Sequence, residues 1–403
     1  MTHDLKPATL RITISGSDHP GITAALFEVL DSQQAELRDL EQFVLHGHLS
    51  LGMLVAVAEE RAMGTVKDLL FVASELGLNL DYGRVDPSAQ RNPGRLAVTA
   101  LGDPIRPRHV QRLAECLAGH GANIAAIERL SEGRLTALEV LVDEPEIGPD
   151  ALSPEPGSLR KSLLELGLAE DFDLAVQREG LARRSKRLIA FDMDSTLIQV
   201  EVIDELARSF GVGEQVARIT AEAMGGRLDY AESLRRRVAM LEGLPYDAVQ
   251  DVASHLPLTD GAERTVRALK NLGYRTAVIS GGFDVAADRL KERLGLDHAH
   301  SNRLEVVDGR LTGKVIPPIV SPERKAEILR DIAASEGIGM EQTIAIGDGA
   351  NDLRMLEAAG LGVAFHGKAA LREAADTALS RGGLDRVLYL LGFRASDVEA
   401  LAK

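Results

Sequence analysis

Leu188-Ile189-Ala190-Phe191-Asp192-Met193-Asp194-Ser195-Thr196-Leu197 decides the fold class of this 403-residue chain. Four apolar residues in succession predict a short strand buried on both faces. The run stops at an acid, and a second acid follows two residues on. Side chains at i and i+2 of an extended chain point the same way, so Asp192 and Asp194 are expected to project together beyond the strand's carboxyl end. Open α/β sheets bind their ligands at that end.

Two later stretches have the same form. Thr276-Ala277-Val278-Ile279 runs into Ser280-Gly281-Gly282-Phe283, and Thr343-Ile344-Ala345-Ile346 runs into Gly347-Asp348-Gly349-Ala350-Asn351-Asp352. Helical spacing at 261–272, 284–294 and 323–335 separates or follows them, which predicts a doubly wound parallel sheet of the α/β class. Its strand tips would gather carboxylates, a hydroxyl, an amide and free backbone N–H groups. Carboxylates crowded together repel unless a cation or protons join them. Mg²⁺ prefers oxygen ligands shared with substrate phosphate. A carboxylate can attack phosphorus, a second can move the proton, and a lysine can steady the transferring phosphoryl group. Lys325, at a helix start after Ser321-Pro322, is the candidate lysine.

The ordered set Asp192-Met193-Asp194-Ser195-Thr196, Ser280-Gly281-Gly282 and Gly347–Asp352 resembles the haloacid dehalogenase superfamily. The resemblance implies a haloacid-dehalogenase-like core with Asp192 as nucleophile and Asp194 as general acid/base. It implies Mg²⁺ held by Asp192, Asp348 and Asp194, the last through its backbone carbonyl. Ser280, Gly281 and Lys325 would hold the phosphate, with Asp352 orienting its neighbours.

About 60 residues, 200–258, lie between the first two strands. Their helical spacing predicts a helical cap over the site, excluding water and selecting substrate. Glu201 reads either as an acid favoured at a helix start or as a substrate contact. Arg235-Arg236-Arg237 reads either as a solvated face or as an anion-binding group. With the core motifs, residues 186–395 resemble the phosphoserine phosphatase family. That implies Glu201 on a substrate ammonium and Arg237 on its carboxylate, the chemistry a guanidinium fork suits. Asn351 would complete the substrate contacts. Tyr230 stands where the family often has Phe, a supporting position that bears on cap closure.

The first half repeats itself. Leu10–Gly16 aligns with Leu96–Gly102 at an offset of 86, and without a gap Phe27 falls on Leu113, Ala35 on Gly121, and Leu54–Ala56 on Val140–Val142. Each copy reads β-α-β-β-α-β, the ferredoxin-like order. Copy one has strands at 9–15, 36–46, 49–58 and 78–84 and helices at 21–34 and 62–76. Copy two has strands at 95–101, 123–130, 134–142 and 172–177 and helices at 107–119 and 157–167. Asp86–Gly94 reads as a linker. The turn Gly16-Ser17-Asp18-His19-Pro20-Gly21 can cap a helix or present N–H groups to a carboxylate. Over residues 8–178 the chain resembles the ACT family of regulatory domains. That implies an amino-acid effector, serine among the candidates, near Gly16, Asp18 and Gly21, and a homodimer through the ACT units. Copy two lacks the Pro-Gly step.

Composition sets limits. The net charge of −15 argues against a bulk nucleic-acid binder. Residues 1–180 carry 28 acids against 16 bases and residues 181–403 carry 33 against 30, so most of the excess lies in the repeats. No apolar run reaches membrane-helix length, and no secretory leader is visible, which predicts a cytoplasmic protein without membrane contact. The single cysteine, Cys116, excludes an internal disulfide and a thiolate metal cage. Three domains are expected: 1–86 and 95–180 as ACT units, and 186–403 as phosphatase with cap. The expected activity is Mg²⁺-dependent hydrolysis of phosphoserine, the last step of serine synthesis. A phosphotransferase to a second alcohol and a non-catalytic amino-acid sensor remain as alternatives.

Overall fold

The computed structural model of the chain describes residues 7–86, 95–134, 136–143, 151–153, 155–224 and 228–401. The linker expected at Asp86–Gly94 therefore lies, but for Asp86, outside the described residues. The chain divides into two compact units, Met1–Asn92 and Pro93–Lys403.

The first unit is one βαββαβ repeat. It comprises β1 (Ala8–Ser17), α1 (Ile22–Ser32), β2 (Glu36–Leu45), β3 (His48–Val57), α2 (Ala62–Glu75) and β4 (Asn79–Arg84). The antiparallel sheet runs β2-β3-β1-β4. Alternate residues of β1, Leu10, Ile12 and Ile14, are buried with Leu26 of α1 and Leu69 of α2.

The second unit opens with the other repeat: β5 (Arg95–Leu101), α3 (Pro107–Gly119), β6 (Ile124–Arg129), β7 (Ala137–Asp143), α4 (Leu159–Glu170) and β8 (Asp173–Arg178). The gap-free alignment of the copies fails by one residue. In β1 and β5 the offset of 86 holds, since Leu10, Ile12 and Ile14 match buried Leu96, Val98 and Ala100. From the first helix to the third strand it becomes 87, and at the last strand it is 94, since Leu10 faces Arg84 and Leu96 faces Arg178. Leu26 and Leu30 match buried Leu113 and Leu117, and Val55, facing Leu10, matches Val142, facing Leu96. Copy two carries one extra residue between strand and helix. A gap-free reading misplaces every later core position, because a one-residue slip turns a strand's buried side chains outward.

Leu181–Arg187 reads in sequence as a basic hinge. It instead begins with α5 (Leu181–Arg184), and two of its basic side chains are buried while Leu181 and Arg187 are exposed. Arg183 is buried between Glu139 of β7 and Glu179, and buried Lys186 donates 2.6 Å to the Glu341 carbonyl.

The rest builds the parallel sheet. β9 (Leu188–Phe191) leads to a four-helix insert, α6 (Val202–Phe210), α7 (Gly213–Met224), α8 (Tyr230–Ala239) and α9 (Tyr246–Ser254). Then come α10 (Ala262–Asn271), β10 (Arg275–Phe283), α11 (Asp284–Leu294), β11 (His298–Val307), β12 (Arg310–Ile316) and α12 (Pro322–Ser335). The chain finishes with β13 (Thr343–Gly347), α13 (Leu353–Ala358), β14 (Gly362–Phe365), α14 (Ala369–Ala374), β15 (Thr377–Leu379), α15 (Val387–Leu390) and α16 (Ala395–Leu401).

β9 lies between β10 and β13, parallel to both. Ile189 and Phe191 enter one hydrophobic cluster while Leu188 and Ala190 enter the other, so the strand is dry on both faces. The sheet does not stop at β15. Thr377 pairs with Ala175 of β8, which joins the second repeat to the parallel sheet in one eleven-stranded order, β12-β11-β10-β9-β13-β14-β15-β8-β5-β7-β6. Gln177 donating 2.8 Å to the Leu390 carbonyl and Arg160 donating 2.7 Å to that of Ala375 reinforce the seam. No helix among the described residues is long and apolar enough to cross a membrane.

Candidate active site

β9 hands the chain directly to Asp192, whose N–H donates 2.8 Å to the Ile346 carbonyl of β13. This bond ties two strand tips together. Asp192 is 3% exposed, and burial in concert with the Asp352 charge pushes its carboxyl pKa up to about 8, against the opposing pull of Lys325.

Lys325 lies in the first turn of α12, which the Ser321 hydroxyl caps and Pro322 opens. That helix aims the ammonium into the core. Its Nζ donates 2.8 Å to Asp192 Oδ1 and 2.6 Å to Asp352 Oδ1. The fully buried Asp352 also accepts the Gly349 N–H at 3.0 Å, which fixes the loop bearing Asp348. Burial and the Asp352 and Glu201 charges raise Asp348 to about 7.

One carboxylate oxygen each from Asp192, Asp348 and Asp352 lies within 4.8 Å of the others. Fully ionised, three carboxylates beside one ammonium would leave two surplus negative charges in a largely buried space. An all-oxygen donor set with that surplus fits a hard divalent cation such as Mg²⁺. The carboxylate cluster includes Asp352, expected only to orient its neighbours. Asp194, expected to offer a metal its backbone carbonyl, has its side chain elsewhere.

Asp194 keeps extended backbone, and then Ser195 turns the chain with φ 57°. The Asp194 carboxylate accepts the Val202 N–H at 3.1 Å, the start of α6. Burial, then the Glu201 and Asp192 charges, raise its pKa well above the ordinary range. Glu201, exposed at the N-cap of α6, accepts a 3.0 Å hydrogen bond from the Ser195 hydroxyl. The acid at the strand tip and the first residues of the insert are thus one hydrogen-bonded loop.

At the β10 tip, the buried Ser280 hydroxyl accepts the Gly282 N–H at 2.8 Å. A side chain on Gly281 would collide with the Tyr230 hydroxyl, and one on Gly282 would come within 2.8 Å of Asp194 Oδ2. The two glycines let α8 and Asp194 approach the strand. Tyr230 donates 3.5 Å to the Gly281 carbonyl, and burial pushes its phenol up to about 12. Arg237 shares the Tyr230 face of α8, two turns on. It is half-buried, whereas Arg235 and Arg236 are exposed and Arg236 is paired with Glu232. Asn351 is half-buried, with its amide against Gly349.

Asn302 escaped sequence reasoning. It is fully buried on β11, donates 2.7 Å to the Gly281 carbonyl and accepts the Val320 N–H at 2.8 Å. It thereby links the β10 tip to the loop that leads to Lys325. No sequence signal marks it, because both partners are backbone atoms far along the chain.

In the first unit, Gly21 caps α1 with φ 99° and Gly16 sits against Leu78 too closely for a side chain. Asp18 is exposed, and its N–H donates 2.9 Å to the Gly47 carbonyl.

Comparison with known proteins gives matching likenesses. Residues 189–357 match the haloacid dehalogenase-like hydrolase family, and residues 8–83 and 96–177 each match an ACT domain. The chain is 46% identical over 392 residues to phosphoserine phosphatase SerB2 of Mycobacterium tuberculosis, covering 96% of this chain and 94% of that one. It is 44% identical over 394 residues to the phosphoserine phosphatase of Streptomyces coelicolor, covering 97% and 94%. A solved haloacid dehalogenase family hydrolase from Salmonella enterica superposes with a TM-score of 0.64 at 32% identity, covering 73% of this chain and 98% of its own.

Proposed function

The chain belongs to the phosphoserine phosphatases, haloacid dehalogenase-like hydrolases here joined to two ACT domains, and on that premise we propose that it hydrolyses O-phospho-L-serine to L-serine and phosphate. The observation that carries the reading is the set of buried Asp192 and Asp352, both paired with Lys325, and half-buried Asp348 beside them, with Asp194 on the loop that leads into the cap.

In this reading an Asp192 oxygen forms a bond to phosphorus as the bond from phosphorus to the serine oxygen breaks. Asp194, whose raised pKa favours the protonated form, gives its proton to that oxygen. Water then attacks phosphorus, Asp194 takes its proton, and the bond to Asp192 breaks, restoring the carboxylate. Lys325, the Ser280 hydroxyl and the Gly281 backbone neutralise and orient the phosphoryl oxygens. Mg²⁺, held by Asp192, Asp348 and the Asp194 carbonyl, would supply Lewis-acid charge to the same oxygens. Glu201 takes the substrate ammonium, Arg237 its carboxylate, and Asn351 completes the contacts. Tyr230 braces the closed cap, and Asp352 holds Lys325 in place.

The product is L-serine, so the reaction fits the last step of serine synthesis in the cytoplasm. The ACT units would bind an amino acid, serine among the candidates, near Gly16, Asp18 and Gly21, and would pair two chains. Phosphate release from L-phosphoserine, with and without Mg²⁺, tests the central reading. Metal-dependent release that Asp192→Asn abolishes is expected; no release from the native chain overturns it. For the effector, calorimetry on the full chain should show L-serine binding that Asp18→Ala weakens.

A further inference from the structure

A cavity of about 90 Å³ lies at the seam between the second repeat and the catalytic sheet. Its walls come from the end of α4, the start of β8, α14 and the residues after β15. None of the residues assigned above to catalysis, substrate or effector lines it. The turn of copy two that corresponds to Gly16–Gly21 does not line it either.

Four ionisable residues face this space: Arg372, Arg381, Asp171 and Asp173. Arg381 is spent on Asp171 in an ion pair. The other two are not spent on each other. Among the described residues Arg372 makes no ion pair, and its Nε is buried without a partner. Asp173 is 7% exposed and makes no ion pair, and one of its oxygens accepts the Ser380 N–H at 2.9 Å. Burial raises its pKa, against the opposing pull of the Ser380 hydrogen bonding and of the more distant Arg386 and His366 charges. One wall thus offers a guanidinium and another a carboxylate, too far apart to pair and with room between them. Leu164, Leu168 and Leu174 add apolar surface.

A buried donor left without a partner costs stability, which a ligand can recover. The lining residues sum to no net charge. A bare anion would be repelled by Asp173 and a bare cation by Arg372. A molecule bearing both charges a few ångströms apart satisfies both walls. We propose that this cavity binds a small zwitterion, an α-amino acid with a short side chain. Its carboxylate meets the Arg372 fork, its ammonium meets Asp173, and its side chain lies on the leucines. The site is separate from the phosphatase reading and stands without it.

The test is calorimetry on the full chain carrying Asp18→Ala and Arg237→Ala, which weakens the two other amino-acid sites proposed above. Glycine and L-alanine are the probes; acetate and ethylamine are the single-charge controls. One molecule of glycine or L-alanine should bind per chain. Arg372→Gln should weaken it at least tenfold, and so should Asp173→Asn, which keeps the acceptor for Ser380. Acetate and ethylamine should bind at least tenfold less tightly. The half-exposed Arg372 makes its variant the one that keeps the fold, checked by an unchanged melting temperature. Absence of glycine and alanine binding, identical isotherms in Arg372→Gln, or acetate binding as tightly as the amino acids would each overturn the proposal.

Discussion

Lys325 donates a 2.8 Å hydrogen bond to Asp192 across 133 residues of sequence, with both side chains buried. The ammonium is the cation nearest a group of acids that would otherwise repel one another. Removing one partner of a buried pair costs about 3–5 kcal/mol, because the other charge stays buried and unpaired. Lys325→Met should therefore lower stability by that order in metal-free protein and by less with Mg²⁺ present. Phosphoserine turnover should fall about 10²–10³-fold, the usual loss of one transition-state charge partner. Paired melting curves and kcat measurements check both; equal destabilisation with and without metal would refute the shared-charge account.

The surplus charge of the aspartate cluster predicts a stability linkage to metal. Mg²⁺ at a hundred times its Kd should stabilise the chain by about 2.7 kcal/mol. Asp348→Asn should remove most of that gain while leaving the metal-free melting temperature equal or higher, since it deletes one like charge. Calorimetric melting with and without EDTA reads this independently of activity.

Gly281 and Tyr230 should couple. Gly281→Ala forces a methyl into the Tyr230 hydroxyl, so phosphoserine kcat/KM should fall at least tenfold. Tyr230→Phe removes the colliding oxygen. The double variant should recover part of the loss, giving a coupling of about 1 kcal/mol or more. Strict additivity in the double-mutant cycle would sink the idea that cap and strand tip meet here.

Arg237→Ala should separate substrates. A charge-assisted fork to a carboxylate is worth about 1.5–3 kcal/mol. Phosphoserine kcat/KM should therefore drop about 10- to 100-fold. p-Nitrophenyl phosphate has no carboxylate and should lose little. Equal losses on both would refute the recognition role.

Lys186 gives a pH prediction. Burial lowers its ammonium from the ordinary 10.5 to about 8. The unfolded chain then binds more protons than the folded one between those values, so this residue's contribution to stability rises with pH across that window. Below pH 8 both states are charged and the burial cost is fully present. Lys186→Met should stabilise the chain relative to wild type at pH 7, and the advantage should shrink toward pH 10. Denaturant unfolding of both proteins across that range measures it; a difference independent of pH would contradict the burial account.

Much of this protein was legible because its signals are local. The alternation in β1, the helical spacing of α10–α12 and the apolar run of β9 each need only a few neighbouring residues. The motif order at three strand tips was likewise readable, since a parallel sheet must bring its carboxyl ends to one edge. Asp192, Asp348 and Lys325 could be singled out before their contacts were known. The β11–β12 hairpin was not, nor was Asn302, whose partners are backbone atoms at residues 281 and 320.

By itself the sequence determined the element types, the two βαββαβ copies, and the residue chemistry gathered at the strand tips. These follow from periodicity and from the order of motifs. Only the tertiary structure decided the one-residue slip between copies, because burial rather than residue similarity identifies the core face. It alone decided that β8 continues the catalytic sheet through β15, that Arg183 and Lys186 are buried, and that Lys325 serves two aspartates at once. Each depends on pairing across many residues of chain. Backbone hydrogen bonds and buried charges carry the same chemistry wherever they occur, so only their packed positions say which partner each one meets.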